Sequence, residues 1–429
     1  MNQQQAGVAG TAPTSKLQAR VLALLLLAYI FNFLDRQILA ILAIPIQAEL
    51  NLTNSQLGLM GGIAFAALYS TLAIPIARFA DRGRRVATIS WAVAVWSGFT
   101  ALCGAAGSFW QLFLARMGVG IGEAGGVAPS YALISDYFPP RQRARALAIF
   151  SLGIPIGSAI GLFFGGWIAT ALNWRWAFVI IGLAGIPIAL ALRKLIPEPV
   201  LGALDAAPTP GASTDPGFGE VFALLARKPS FWLLSFGAAC ASICGYGLGF
   251  WLPKHITLSM DLPLDQLGFY FGVIVLVGGS LGIWLGGVLG DRLGARPGAY
   301  ALVPAVSFLL TAPLFALAIS SNSLLLGLLL YTIPYMLSLA WIGPVVNAAQ
   351  HLVPPNMRGT TSASLLLINN LIGIGFGIYF FGKLTDLLTP AYGGEALFMA
   401  LLFGLGFYLL AGLLMLGAAA SLNRDWHRG

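Results

Sequence analysis

Four ionisable side chains lie inside stretches that are otherwise lipid-soluble: Asp35 and Arg36 in one, Arg116 and Glu123 in another. A charge at bilayer depth costs about 2.5–3.5 kcal/mol on insertion scales, so such residues face a protein interior or a water-filled cavity and usually serve a purpose. The chemistry open to them is narrow. A carboxylate stripped of its hydration can be neutralised by a proton, which makes Asp35 and Glu123 candidate proton-coupling groups. A guanidinium fork can hold a phosphate or carboxylate through two hydrogen bonds, which makes Arg36 a candidate contact for an anionic head group. Arg116 is read either as a second substrate contact or as a structural partner. The competing reading of Asp35 is a carboxylate locked by Arg36 or Arg116 for folding alone.

Spacing limits how these groups meet. Arg116 and Glu123 are seven residues apart, nearly two helical turns, so they share a face but stand ~10 Å apart along the axis. They cannot pair with each other. Each needs a partner from another helix, and Asp35 and Arg36 are the candidates. Those two point ~100° apart and so cannot both face one neighbour squarely. The expectation is a four-charge cluster of zero net charge.

The elements that position this cluster follow from composition. The chain has 429 residues, 58% of them hydrophobic and 9% charged. A soluble domain carries roughly 25% charged residues, so no soluble surface can be built here. The apolar excess runs the whole length, which excludes a single span. A membrane crossing needs ~20 apolar residues, and twelve segments qualify. They are predicted at 18–46, 56–80, 85–106, 109–135, 143–171, 175–196, 230–253, 265–290, 298–319, 323–350, 358–385 and 395–421. The expected fold is all-α, an integral membrane protein of twelve transmembrane helices in two six-helix bundles. The Pro-, Gly- and Ser-rich stretch divides it: an N-terminal bundle at 1–196, a cytoplasmic linker at 197–228 and a C-terminal bundle at 229–429.

Of the 23 Lys and Arg residues, 18 fall in one set of loops and termini and three (Arg175, Lys254, Lys383) in the other, with Arg36 and Arg116 buried. Positive loops stay in the cytoplasm, so both termini are expected there, which demands an even number of spans. The net charge of +8 is then a topology signal, and nucleic acid is not an expected partner. Cys103, Cys240 and Cys244 lie in apolar stretches and suggest neither a disulfide nor a metal site. Only three histidines occur, at span ends or in the tail, and neither a His-Glu-x-x-His pattern nor an ATP-binding loop is present. An enzyme is therefore a poor reading, and no cofactor is expected. Gly120-Ile-Gly122-Glu-Ala-Gly125 formally fits a dinucleotide fingerprint, but that motif needs a preceding strand, so close helix packing is the better reading.

After the second predicted span comes Ala77-Arg-Phe-Ala-Asp81-Arg82-Gly83-Arg84-Arg85, and after the eighth comes Gly287-Val-Leu-Gly-Asp291-Arg292-Leu-Gly294-Ala-Arg296. This repeat resembles the signature loop of the major facilitator superfamily. The first copy is one residue short between Arg82 and Gly83, with Ala77 where Gly is usual; the second has Ala295 before Arg296. A narrower resemblance rests on Asn32-Phe-Leu-Asp35-Arg36 in helix 1, Gly118-Val-Gly-Ile-Gly122-Glu123-Ala-Gly in helix 4, and Asp136-Tyr-Phe-Pro-Pro-Arg141-Gln-Arg143-Ala-Arg145 before helix 5. Together these look like the Spinster-type branch, associated with sphingolipids and lysophospholipids. The resemblance implies that helices 1 and 4 line a central cavity. It also implies that Asp81, Arg82, Arg85, Asp136, Asp291 and Arg292 form a cytoplasmic gate. Gly153-Ile-Pro155-Ile-Gly157, with Gly161, Gly165 and Gly166, resembles the Gly-Pro element of helix 5 in antiporters. Ordinary packing is an equal reading of it.

The second half has no mid-membrane charge but offers Tyr246 in helix 7, Tyr335 in helix 10 and Asn369 in helix 11. A charged wall facing an aromatic, apolar one suits an amphipath. The expected function is secondary active transport of a lipid-like or drug-like amphipath by alternating access, coupled to protons. A small organic-anion symporter is the alternative, and a membrane-embedded enzyme the alternative of another class. The expected partners are the amphipathic substrate, protons and membrane lipids, and a monomer in a bacterial inner membrane is the expected setting.

Overall fold

The computed structural model describes residues 14–200, 204, 218–293, 296–321 and 323–427. Most of the linker at 197–228, and the side chain of Asp291, lie outside the described residues. Among the described residues there are helices and no strands. Chains in lipid must satisfy backbone groups internally, and helices do so within one segment.

Twelve spans emerge among the described residues. Span 1 is Ser15–Ile41 continued by Ala43–Leu50, span 2 is Asn54–Gly61 with Ile63–Ala80, and span 3 is Arg85–Cys103. Span 4 is Phe109–Glu123 with Val127–Tyr137, span 5 is Pro140–Ser151 with Gly153–Ala171, and span 6 is Trp174–Leu195. A short helix, Phe218–Ala226, leads into span 7 at Pro229–Met260. Span 8 is Leu264–Leu293, span 9 is Ala299–Ile319 and span 10 is Leu324–Leu339 with Ile342–Gln350. Span 11 is Arg358–Tyr392, and span 12 is Ala396–Gly404 with Gly406–Asp425. By length and hydropathy alone, ten stretches among the described residues could cross a membrane. The last of these, Arg358–Asp425, holds spans 11 and 12 together, and span 4 escapes because it is broken into pieces of 15 and 11 residues. The break at Ala124–Gly126 was not visible in the hydropathy pattern, which is continuous there.

Within the first half, span 1 packs along span 5, and span 3 along span 6. Within the second, span 7 packs on spans 11 and 12. The helix 5 glycines do two jobs. A Cβ on Gly157 or Gly161 would collide with the carbonyl of Ile30 or Leu34, so these positions seat span 1 in its place. Gly166 instead faces Leu264 across the junction between the halves.

The two most extensive seams between the halves join span 5 with span 8 and span 2 with span 11, and span 1 also touches span 7. Both are tightest at the face bearing few arginines, where the Asn51 and Asp261 turns lie. A Cβ added to Gly62 would sit 2.8 Å from the Gly375 carbonyl, whereas further along the seam one added to Gly375 meets only Ala66 Cβ, at 3.5 Å. On the other seam, Gly166 and Gly268 touch opposing backbone, while a Cβ on Gly279 would lie 3.5 Å from Pro155. The seams relax toward the arginine-rich face.

Hydrogen bonds reinforce the tight end. Asp386 of span 11 caps the start of span 2, accepting from the Asn54 and Ser55 backbone N–H groups at 3.2 and 2.7 Å and from the Asn54 amide at 2.8 Å. Lys254 of span 7 donates to Asn54 at 2.7 Å and to Gln47.

In the water-exposed last turn of span 1, past the predicted crossing at 18–46, Glu49 accepts from the Trp174 indole at 2.5 Å and the Arg175 guanidinium at 2.7 Å, tying spans 1 and 6. These donors hold the Glu49 carboxyl below its ordinary value. A depressed carboxyl stabilises the fold above its unfolded pKa and loses that contribution as pH falls through the folded value. Thermal unfolding in detergent is expected to show a stability loss below about pH 4.3 that Glu49→Gln reduces; an unchanged pH profile in the variant would remove this role.

Candidate functional site

The break in span 4 places Glu123 at the last residue of its first helical piece. The carbonyl end of a helix carries partial negative charge, a poor setting for a carboxylate. Compensation comes from span 1. Arg36 donates through Nε to Glu123 Oε2 at 2.8 Å, and its Nη2 lies 2.7 Å from the same oxygen. Glu123 is fully buried, while the Arg36 side chain keeps 13% exposure. Nearer the arginine-poor side, Arg116 donates to Asp35 Oδ2 at 3.2 Å and Thr100 donates to Asp35 Oδ1 at 2.7 Å. The four charges thus resolve into two pairs between spans 1 and 4, as the seven-residue spacing requires. Asp35 and Glu123 belong to different pairs, within electrostatic reach of each other.

Aromatic rings complete the surroundings of Arg36. Its guanidinium carbon lies 4.7 Å from the Phe65 ring centre, and 5.0 Å from those of Phe33 and Tyr69. Arg116 lies 5.8 Å from the Phe65 centre, so one ring serves both cations. Cation–π contacts of this kind gain strength when desolvated. Glycines permit the closeness: Gly120 abuts the Phe65 carbonyl and Gly122 the Trp96 backbone, so a Cβ at either would collide. The Gly120–Gly125 run is therefore a packing device that brings Glu123 into place.

The second half supplies fewer groups. Tyr246 stands within electrostatic reach of Arg36, and Tyr335 of Tyr246. Asn369 is 4% exposed and already occupied, accepting from Ser242 at 2.7 Å and donating to Asn370 at 3.2 Å. It links spans 7 and 11 through Ser242.

At the arginine-rich face, Arg85 pairs with Asp136 and lies 3.2 Å from Asp81, tying the ends of spans 2, 3 and 4 within one half. Arg82 and Arg292 are exposed. Glu198, just past span 6, accepts from the Val86 and Ala87 backbone N–H groups at 2.9 and 2.8 Å and so caps span 3. Sequence reasoning missed Glu198, Thr100, Phe65 and the Lys254–Asp386 group. Phe33 alone had a local signal, lying three residues before Arg36 on the same face. The others come together only through tertiary packing.

Twelve spans in two bundles, with buried ion pairs between spans 1 and 4, define a membrane carrier. The chain belongs to the major facilitator superfamily, whose sequence pattern matches residues 25–378. It is 34% identical over 388 residues to an MFS-type efflux pump of Mycolicibacterium smegmatis, covering 90% of this chain and 88% of that one. It is 30% identical over 440 residues to human protein spinster homolog 1, covering 96% of this chain and 82% of the relative. Its fold matches the crystal structure of a bacterial homologue of the human lysosomal transporter spinster, in an inward-facing and unoccupied conformation. There the TM-score is 0.88 and the identity 30%, with 97% of this chain and 99% of that one covered. The chain is a Spinster-like transporter of the superfamily.

Asp35 and Arg116 form a fully buried pair, and breaking such a pair by removing one partner costs about 3–5 kcal/mol because the survivor is left uncompensated. Asp35→Asn is expected to lower thermal stability by about this amount, and Asp35→Asn combined with Arg116→Met to regain most of it. Equal stability of the single variant and the parent would refute the pairing.

Proposed function

We propose that the protein moves an amphipathic molecule with an anionic head, lipid-like or drug-like, by alternating access coupled to protons. The observation that carries the reading is the position of Arg36. It is the one member of the buried cluster with appreciable exposure, its counter-charge is Glu123, and aromatic rings surround it. A head group that binds Arg36 competes with Glu123. Once displaced, Glu123 is a buried carboxylate without a counter-charge, a state costly enough that the group takes up a proton instead. Proton and anionic cargo therefore bind together. The sign of this linkage makes them travel in the same direction.

The remaining surroundings support an amphipath. Tyr246 and Tyr335 offer aromatic surface from the second half, which has no mid-span charge to receive a second polar group. A relative is named an efflux pump, and a structural neighbour is described as a homologue of a lysosomal transporter. With the arginine-rich face in the cytoplasm, as the charge bias of loops favours, both termini are cytoplasmic. The tight ends of the seams then lie at the outer face and their looser ends at the inner one. Asp81, Arg82, Arg85, Asp136, Asp291 and Arg292 act at the inner gate in this scheme. A single chain in a bacterial inner membrane suffices for it.

The test is uptake into proteoliposomes under an imposed pH gradient, with lysophospholipids, sphingoid phosphates and small organic anions as cargo. Uptake of a lysophospholipid is expected to follow the gradient. Glu123→Gln is expected to bind cargo independently of pH and to lose accumulation. Arg36→Lys, which forfeits the bidentate fork, is expected to weaken binding by about tenfold, the value of roughly one charged hydrogen bond. Gradient-driven uptake by Glu123→Gln would refute the coupling. Uptake of small anions without lipid would replace the amphipath with a hydrophilic cargo.

A further inference from the structure

Asn32 precedes Arg36 by one helical turn on span 1, in the Asn-Phe-Leu-Asp-Arg run. It is 2% exposed, and neither its amide nitrogen nor its carbonyl oxygen has a hydrogen-bond partner among the described residues. A buried amide left unsatisfied is a standing cost, and an apolar side chain of the same size would avoid it. The residue borders a cavity of about 10 Å³ walled by Tyr29, Trp96, Gly126, Ser130 and Phe150. That is close to the smallest space that holds one water molecule.

The position of the cavity gives it meaning. Its wall includes Gly126, at the end of the break that terminates the helix at Glu123, and the Gly126 N–H donates to the Glu123 carbonyl at 3.0 Å. The Gly126 carbonyl is occupied, accepting the Ser130 N–H at 3.2 Å and the Ser130 hydroxyl at 2.7 Å. Asn32 therefore supplies the unmet polar atoms of the wall. Asn32 and Arg36 are ~6 Å apart along the helix axis, so the cavity lies one turn from the Arg36–Glu123 pair, on its arginine-rich side. Glu123 Oε2 engages Arg36, and Glu123 Oε1 has no partner among the described residues.

We propose that this cavity is a water site, that the Asn32 amide orients the water, and that the water relays protons between Glu123 and the arginine-rich face. The functional half of this inference rests on the coupling role proposed for Glu123; the water site does not. In the relay, the Glu123 carboxyl gives up its proton, as the acid O–H bond breaks, to a water bridging its unpartnered Oε1 to the cavity one turn away, and that water passes a proton on to the water at Asn32. The water releases one of its own protons toward the arginine-rich face and is restored. The carboxylate left behind is balanced by Arg36. The charged groups around Glu123 are Arg36, Asp35 and Arg116, and the titratable hydroxyls around Arg36 and its neighbours are those of Tyr29, Tyr69, Tyr131 and Tyr246. Asn32 acts as a positioning residue: it holds the water and exchanges no proton itself.

Radiolytic hydroxyl labelling by X-ray pulses reports bound water next to buried aromatic rings. Phe150, 1% exposed, is expected to label faster than the equally buried Phe308 and Phe315, and with it Tyr29, which is 8% exposed and stacks on it at 4.2 Å. Asn32→Leu is expected to bring them down to that background and to fold with undiminished thermal stability. Asn32→Ser, which keeps a polar group and leaves more room, is expected to retain the labelling. In proteoliposomes holding a pH-sensitive dye, proton flux evoked by lysophosphatidylglycerol is expected to fall about fivefold or more in Asn32→Leu, the effect of losing one hydrogen bond from the path. The KM for the lipid is expected to stay the same, and Asn32→Ser to restore the flux. Labelling unchanged in Asn32→Leu would overturn the water site. Normal flux in Asn32→Leu, with flux abolished in Glu123→Gln, would overturn the relay and leave the role of Glu123 standing. Normal flux in Glu123→Gln would overturn the coupling role and the relay with it.

Discussion

A guanidinium and a carboxylate 2.7 Å apart, buried among aromatic rings at membrane depth, set the terms for the rest of the molecule. Neither charge is tolerable there alone. Span 1 and span 4 must therefore stay in register to within the reach of one side chain, and the surrounding sequence is shaped to keep them so. Span 5 presents glycines to the backbone of span 1, and span 4 presents glycines to spans 2 and 3. In lipid, where apolar burial gives no drive for helices to associate, such close backbone contact is the main source of packing energy. The second pair, Asp35 with Arg116, acts as a fixed reference beside the first. It is closed off from solvent and further held by Thr100.

The two halves divide the labour. The first carries the charge chemistry, and the second contributes aromatic surface and the outer partners of both seams. Span 4 is interrupted where Glu123 stands, which places the carboxylate at a helix end instead of mid-helix. The orphan carbonyls of that helix end are taken up within the break itself, the Gly122 and Glu123 carbonyls accepting the Gly125 and Gly126 N–H groups at 3.1 and 3.0 Å.

Much of this could be read in the chain itself. Twelve spans, the duplication at Asp81 and Asp291, and the pairing of two charged helices all follow from hydropathy, repeat and helical period. The spacing of Arg116 and Glu123 forbade an internal pair and so pointed to span 1. Other features were not legible, for identifiable reasons. The break after Glu123 falls in Ala-Gly-Gly, which is apolar and leaves the hydropathy profile smooth. Thr100 and Phe65 carry no pattern of their own and matter only because glycines let their helices approach. Nothing in the sequence pairs Asn369 with Ser242, and the bond between them appears only once spans 7 and 11 are packed. Lys254 counted as one of three stray cations outside the arginine-rich loops, and only the fold shows it against Gln47 and Asn54 of the other half.

The seal at the arginine-poor face has an unusual composition. Asp386 is held there by two backbone N–H groups, an amide and a hydroxyl, and Lys254 by two amide oxygens. Every one of those contacts can be exchanged for water, and each, being a bond to a charged group, nets about 1.5–3 kcal/mol. Parting the seal strands no ion in hydrocarbon. Were the halves to part there, a latch of solvent-replaceable bonds at the water's edge would leave the deeply buried Asp35–Arg116 pair undisturbed, so hydration, not charge separation, would set the cost of opening it.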